Sequence, residues 1–114
     1  MTNTECCKLL EAESHTKNAL SKKEFFSVCC SDLMSDVIAF VKDQPLLLTG
    51  LINTQVIRTA HLMDISTICF VRGKQPTQEM IDLAEELGIQ LFSTKFSLFV
   101  AAGKLYEKGL QGSV

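Results

Sequence analysis

Positive side chains and glycines stand together where apolar stretches of the sequence end. Arg72, Gly73 and Lys74 follow the apolar residues 68–71, and Lys95 follows a second such stretch. Arginine and lysine side chains, together with the free amides of helix N-termini, bind phosphate and carboxylate groups. The alternative is that these residues form solvated turns in which glycine serves the backbone geometry. We predict a site for a small anionic metabolite or nucleotide, formed by Ser31, Asp32, Thr49, Gly50, Asn53, Arg72, Gly73, Lys74, Ser93 and Thr94.

Cysteine chemistry is the alternative that the sequence leaves open. Cys29 and Cys30 end an apolar stretch directly before Ser31, whose hydroxyl is suited to cap a helix. A thiol at a helix N-terminus has a lowered pKa, so a small cysteine-dependent enzyme or a redox sensor could use this pair. The candidate base, His61, is predicted to lie on a helix away from the strand ends. Free cysteine is more often simply buried, and packing is therefore the preferred interpretation.

Familiar catalytic and cofactor motifs are absent from the sequence. Gly73 and Lys74 are followed by Gln75, so they do not complete a phosphate-binding P-loop. The Gly-x-Gly-x-x-Gly dinucleotide motif and the Cys-x-x-Cys spacing are also missing. Asp32 and Asp36 could chelate a cation, but acids in a first helical turn usually interact with the helix dipole. We predict no catalytic residues, no metal site and no cofactor, and therefore a protein that is not an enzyme.

Size and composition predict one globular unit. The chain has 114 residues, of which 46% are hydrophobic and 21% are charged, and its formal net charge is −2. Without a strongly basic stretch, nucleic acid is not a predicted partner. The odd count of five cysteines, with two adjacent pairs, does not make a disulfide framework and favours the reducing cytoplasm. Signal-peptide features and an apolar run of about 20 residues are missing, so no membrane association is predicted.

Apolar stretches predict four strands, over residues 25–30, 45–49, 65–71 and 89–93, each followed by residues with helical spacing. Part of the third stretch is continuously apolar, as in parallel strands whose two faces are both covered by helices. The predicted fold is α/β: a three-layer sandwich with a mostly parallel sheet of about four strands, each followed by a helix. Because the carboxyl ends of parallel strands share one edge, the predicted binding residues should meet there.

Helix boundaries are predicted from capping residues. Ser31 and either Asn53 or Thr54 are predicted N-caps, Pro76 is placed in a first helical turn, and Gly88 is predicted to end a helix.

Two segments are predicted along the chain. Residues 1–24 form an N-terminal segment, with a short helix over 4–13 and a polar stretch over 14–24, and residues 25–114 form the α/β domain.

Several short segments of the predicted α/β domain follow one another in a recognisable order. They are Ser-Asp-Leu-Met-Ser-Asp-Val at 31–37, Leu-Leu-Leu-Thr-Gly at 46–50, Arg-Gly-Lys-Gln-Pro-Thr at 72–77 with Glu79, Leu-Phe-Ser-Thr at 91–94 with Phe99, and Gly-Lys-Leu-Tyr at 103–106. In this order they resemble the DRTGG domain, over residues 25–110. The Asp-Arg-Thr-Gly-Gly string itself is absent, so the resemblance is to the fold family.

The resemblance implies a regulatory role. DRTGG domains resemble the N-terminal domain of the HPr kinase/phosphorylase and occur beside CBS domains in regulatory pyrophosphatases. The resemblance implies a three-layer α/β sandwich that forms a homodimer or joins a larger protein complex. It implies no kinase activity, because the catalytic domain of that kinase is a separate unit, and it carries over no catalytic residues. We predict a non-catalytic regulatory, ligand-sensing or assembly module.

Overall fold

A computed structural model describes residues 1–17 and 23–113 and places them in three layers around one sheet. The helices of the described residues are α1 (Asn3–Leu10), α2 (Met34–Phe40), α3 (Thr54–Leu62), α4 (Gln78–Leu87) and α5 (Leu98–Glu107). The strands are β1 (Glu13–Ser14), β2 (Ser27–Cys30), β3 (Leu46–Thr49), β4 (Thr67–Phe70), β5 (Gln90–Ser93) and β6 (Gln111–Gly112). The predicted α/β sandwich with a mostly parallel sheet is confirmed.

The sheet has the strand order β1-β5-β4-β3-β2-β6. Strands β2 to β5 are parallel and are each followed by a helix, as predicted, and β6 is parallel to β2. Strand β1 pairs antiparallel with β5 at the other edge. The two edge strands were not predicted, because a strand of two residues shows no hydrophobic period.

Alternating strand residues build two apolar cores, one on each face of the sheet. Leu47, Ile68 and Leu91 point toward α2, α3 and α4, whereas Leu48 and Phe92 point toward α1 and α5. All residues of β3, β4 and β5 are buried, as expected for parallel strands between two helical layers. The order and direction of these strands place their carboxyl ends at one edge.

Of the four residues predicted to mark helix boundaries, two are confirmed and two are wrong. The side-chain oxygen of Asn53 accepts a hydrogen bond from the Val56 amide at the start of α3, and Gly88 ends α4 with φ +74°. Pro76 is not in the first turn of α4, because the hydroxyl of Thr77 caps that helix. The predicted cap at Ser31 is wrong as well.

Ser31 lies too far ahead of α2 to cap it. The helix begins at Met34 with Leu33 at its N-cap, and no side chain makes the cap hydrogen bond. The Ser31 hydroxyl instead accepts a hydrogen bond from the Leu33 amide at 3.1 Å. This closes a local turn that delays the helix and leaves Asp32 outside it.

The N-terminal residues pack against the sheet. The predicted first helix is shorter than expected, since α1 spans Asn3–Leu10, and its Cys6 and Leu10 are fully buried beside Phe92. Of the predicted polar stretch, residues 18–22 lie outside the described residues. The division of the chain at residue 24 stays a prediction.

None of the helices within the described residues is long and apolar enough to cross a membrane.

Candidate functional site

The turn after β2 is joined to the carboxyl end of β3 through one carboxylate. The Asp32 carboxylate accepts hydrogen bonds from the Thr49 hydroxyl at 2.8 Å and from the Gly50 amide at 2.7 Å. The Gly50 amide is the main reason why the pKa of Asp32 is lowered, and partial desolvation opposes it. The Thr49 hydroxyl and the charges of Arg72 and Lys74 lower the pKa further. Asp32 is therefore an ionised acid fixed at the strand ends at neutral pH.

Arg72 adopts a left-handed backbone conformation at the end of β4, with φ +59°. This conformation is energetically unfavourable for non-glycine residues because Cβ approaches the following carbonyl group. Two other described residues share a positive φ without being glycine, but Glu11 and Asp64 lie directly after helices, where such residues are common. Arg72 is thus the exception, because its strained conformation follows a strand.

Two backbone hydrogen bonds hold the Arg72 turn against the loop that follows β5. The Arg72 amide donates to the Phe96 carbonyl at 2.8 Å, and the Gly73 amide donates to the Thr94 carbonyl at 2.9 Å. Gly73 also has a positive φ, of +70°. The surrounding loops therefore enforce the arginine conformation.

The guanidinium group of Arg72 lies over Gly50. A Cβ atom built on Gly50 would lie 3.6 Å from a terminal nitrogen of Arg72 and 3.7 Å from a carboxylate oxygen of Asp32. Gly50 is buried, whereas Arg72 and Lys74 are exposed. Two cations and one carboxylate thus meet at the carboxyl ends of β3 and β4, and their side chains face solvent.

The end of β5 carries a second polar group, which the sequence only partly predicted. The buried Ser93 hydroxyl lies 2.7 Å from Nε2 of His15 and accepts a hydrogen bond from the side-chain nitrogen Nε2 of Gln75 at 3.3 Å. His15 follows β1, and it reaches Ser93 because β1 pairs antiparallel with β5. No sequence signal pointed to His15, while Gln75 directly follows the predicted Lys74.

The remaining predicted site residues have structural partners. The buried Thr94 hydroxyl donates to the Leu10 carbonyl at 2.6 Å and so fastens α1 to the end of β5. The Asn53 side chain caps α3, and the Ser31 hydroxyl closes its local turn. Among the predicted residues, the structure brings together Asp32, Thr49, Gly50, Arg72 and Lys74.

The cysteines are not in the environment that cysteine catalysis requires. All five thiols are free, with Cys29 buried and Cys30 exposed at the sheet edge. Desolvation raises the pKa of both thiols, and the neighbouring Cys29 adds to the rise at Cys30. Helix α2 begins only at Met34, so neither thiol occupies its first turn. A reactive cysteine needs a lowered pKa, and nothing in this geometry supplies it.

Within residues 1–17 and 23–113, no group of three or more histidine, cysteine or acidic side chains could hold a metal ion.

Comparison with known proteins shows the fold but no family. No family model matches the chain, and no curated protein matches it. A crystal structure of the CBS and DRTGG domains in the regulatory region of Clostridium perfringens pyrophosphatase, complexed with its activator diadenosine tetraphosphate, superposes with a TM-score of 0.76. The superposition covers 95% of this chain at 18% identity, and this chain spans 46% of the length of that structure. The chain therefore has a fold present in that regulatory region.

Proposed function

We propose that this chain is a non-catalytic regulatory module that binds a small anionic ligand, such as a nucleotide or another phosphate ester, at the carboxyl end of β4. Arg72 and Lys74 supply the positive charge. The observation that carries the proposal is the left-handed Arg72, because strained backbone that follows a strand and is enforced by its neighbours points to a functional constraint.

The arginine is presented to solvent. Its amide is bound to the Phe96 carbonyl, so the backbone is fixed while the guanidinium is exposed above Gly50. A guanidinium held by its backbone loses less freedom on binding a phosphate than one on a loose loop. Lys74 adds a second charge on the same turn.

Asp32 defines where the ligand lies. Its carboxylate already accepts the Gly50 amide hydrogen bond, so that amide is occupied by an anion that belongs to the protein. The ligand therefore lies on the solvent side of Arg72 and Lys74, and it competes with Asp32 for the guanidinium.

The structural neighbour supports the ligand class. The crystallised pyrophosphatase region holds diadenosine tetraphosphate, an anionic nucleotide that is its activator. A regulatory domain with a related fold is thus known in a nucleotide complex. We also propose that the chain belongs to the DRTGG fold family and works in the cytoplasm, where five free thiols persist.

Titration calorimetry with diadenosine tetraphosphate, ATP and pyrophosphate tests the proposal. At least one of these probes should bind the unmodified chain, and Arg72→Ala should weaken it by about ten-fold or more, because a charge-assisted hydrogen bond is lost. Lys42→Ala is the matched control, since this exposed lysine follows α2 at the opposite edge. The proposal is wrong if no probe binds, or if both variants weaken binding equally.

Self-association belongs to the same proposal. Helix α5 presents Phe99 to solvent with 86% of its surface exposed, beside the partly exposed Val100. An apolar surface at this helix supports a homodimer or a contact within a larger complex. Multi-angle light scattering of the chain and of Phe99→Glu measures it, with a dimer expected for the former and a monomer for the latter.

A further inference from the structure

The sheet ends at β6 in an edge that is only two residues long. The Gln111 amide donates to the Phe26 carbonyl at 3.2 Å, and the Ser113 amide donates to the Val28 carbonyl at 3.1 Å. Because successive residues of a strand direct their backbone groups to opposite sides, the amide and carbonyl of Gly112 point away from the sheet. Gly112 has no side chain to cover them and is exposed. Among residues 1–17 and 23–113 no further strand pairs with β6, so the edge is open to one.

Two cavities border this open edge and share Gly112 in their linings. One, of about 400 Å³, extends toward α2 and is lined by Val28, Cys29, Phe40 and Asp36 among others. The other, of about 790 Å³, lies at the amino end of β2, beside Phe26. We call these two cavities, with the Gly112 edge that borders both, the β6 groove.

The groove contains a polar group that is buried and unsatisfied. The hydroxyl oxygen of Ser113 lines the smaller cavity and has no hydrogen-bond partner within the described part of the chain, although the residue is 4% exposed. A buried hydroxyl without a partner costs about 1–3 kcal/mol relative to a bonded one. If its side chain turned toward the groove, this hydroxyl could bond to a backbone amide or carbonyl of an occupant.

Exposed aromatic rings flank the groove. Phe26 is 70% exposed in the larger cavity, and Phe40 is 53% exposed in the smaller one. Apolar side chains of an added strand would cover these rings.

The charges of the β6 groove select the occupant. Glu5, Glu24 and Asp43 line the larger cavity together with Lys108 and the terminal amine of Met1. The smaller cavity contains one charged side chain among its lining residues, the carboxylate of Asp36. The groove is thus net negative at both ends and fits a basic partner.

A second copy of the chain fits the groove poorly. Two identical edge strands that pair about a two-fold axis run antiparallel, so the larger cavity of one copy would face the smaller cavity of the other. The larger cavity, which is net negative although Lys108 and the Met1 amine line it, would then meet the carboxylate of Asp36 in the partner copy, so cavities of like net charge would face each other.

We infer that the β6 groove binds an extended, basic segment of a partner protein, which adds to the sheet as a strand beside Gly112. Backbone hydrogen bonds to the amide and carbonyl of Gly112 hold the segment, its apolar side chains cover Phe26 and Phe40, and its basic side chains face the acids at the two ends. The inference does not depend on the proposed anion site, which is formed by other strands.

Fluorescence anisotropy with a labelled heptapeptide, Lys-Val-Arg-Val-Lys-Val-Arg, tests the inference on the full chain. The peptide should bind, and two matched peptides should bind at least about ten-fold more weakly: one with glutamate at every basic position, and one with proline in place of the central valine. In heteronuclear NMR spectra, the amide of Gly112 should shift on addition of the basic peptide.

Charge variants separate a groove from nonspecific attraction. The double variant Asp36→Asn with Asp43→Asn should weaken binding of the basic peptide by about five-fold, the size expected from the loss of two exposed ion pairs. The control is Asp82→Asn with Glu86→Gln, which removes two exposed charges from α4. Equal effects of both double variants, equal binding of all three peptides, or a Gly112 shift caused by concentrating the chain alone would each overturn the inference.

Discussion

The carboxylate of Asp32 binds the amide of Gly50 at 2.7 Å, and so a turn after one strand stabilises the end of the next. The same carboxylate lies close enough to Arg72 and Lys74 for their charges to lower its pKa. Asp32 thus links two strand ends to the turn that carries the proposed binding charges.

Removing the Asp32 carboxylate should make the chain less stable near neutral pH and little different in acid. Asp32→Ala should lower the free energy of unfolding at pH 7 by about 1–2 kcal/mol, because two charge-assisted hydrogen bonds, from the Thr49 hydroxyl and the Gly50 amide, are lost at an exposed position. The folded-state pKa of Asp32 is depressed, so its contribution is complete above the unfolded pKa of about 4 and disappears as the pH falls through the folded value.

Urea unfolding at pH 7 and at pH 3 measures this difference. The difference in the free energy of unfolding between the unmodified chain and Asp32→Ala should be smaller at the lower pH. Asp43→Ala is the control, since Asp43 is exposed, lies after the end of α2 and is outside the hydrogen bonds at Gly50. A gap of the same size at both pH values would show that the carboxylate charge is not what stabilises the strand ends.

Glycine substitutions should separate space from backbone conformation. Gly50 has no positive φ, and an added Cβ would make ordinary contacts at 3.6 Å or more, so Gly50→Ala should change the free energy of unfolding by less than about 1 kcal/mol. Gly88 has φ +74°, and Gly88→Ala should cost about 1 kcal/mol although nothing lies within 4 Å. Thermal unfolding compares the two. Equal losses of unfolding free energy in the two variants would show that the positive φ of Gly88 does not disfavour alanine.

The apolar patterns predicted the central parallel strands β3, β4 and β5 because each of these is buried on both faces. Leu47 and Ile68 lie in continuously apolar stretches, which are not typical of strands with a solvent-exposed face. The length and spacing of these stretches were enough to predict the fold class. The edge strands β1 and β6 depend on long-range pairing of two residues each, which leaves no local pattern. The contact between His15 and Ser93 was missed for the same reason.

The convergence of the strand ends was predicted, but the hydrogen bonds among the residues that meet there were not. The parallel order of the strands was sufficient to bring Asp32, Gly50 and Arg72 to one edge. The role of Asp32 was not foreseen, because Ser31 was predicted as the cap and Asp32 would then have lain inside the helix. The left-handed backbone of Arg72 also has no sequence signal, since arginine rarely adopts it.

The hydroxyl of Thr94 should contribute more to stability than that of any threonine without a partner. Thr94→Val leaves the Leu10 carbonyl without its buried hydrogen bond, which should cost about 2 kcal/mol. Thr59 is the matched control: it is also buried, and its hydroxyl has no hydrogen-bond partner among the described residues. Thr59→Val should therefore be neutral or stabilising. Chemical unfolding measures the free energy of unfolding of both variants. Equal losses of this free energy would refute the stabilising role assigned to the Thr94 hydroxyl.

The thiols should react slowly with iodoacetamide at neutral pH. Burial raises the pKa of Cys6 to about 12 and that of Cys7 to about 11, and it raises the pKa of Cys29 and Cys30 as well. Since the thiolate is the reactive form, alkylation measured by mass spectrometry should increase steadily above pH 8, with the exposed Cys30 modified first. Complete alkylation of Cys29 or Cys30 near pH ~6 would instead support a cysteine-dependent activity.

Replacing Arg72 should separate the cost of its backbone from the use of its side chain. Arg72→Gly and Arg72→Ala both remove the guanidinium, but only glycine adopts φ +59° without strain. Arg72→Gly should therefore be about 1 kcal/mol more stable than Arg72→Ala, although glycine usually destabilises a chain.

Arg58 provides the reverse case. It lies within α3, where glycine is about 1 kcal/mol less favourable than alanine, so Arg58→Gly should be less stable than Arg58→Ala. Urea unfolding of the four variants gives both differences, and calorimetry with the anionic probes should show equal loss of binding in the two Arg72 variants. If Arg72→Ala were as stable as Arg72→Gly, the backbone would store no strain at this turn. The backbone conformation of Arg72 would then no longer indicate a binding site at this turn.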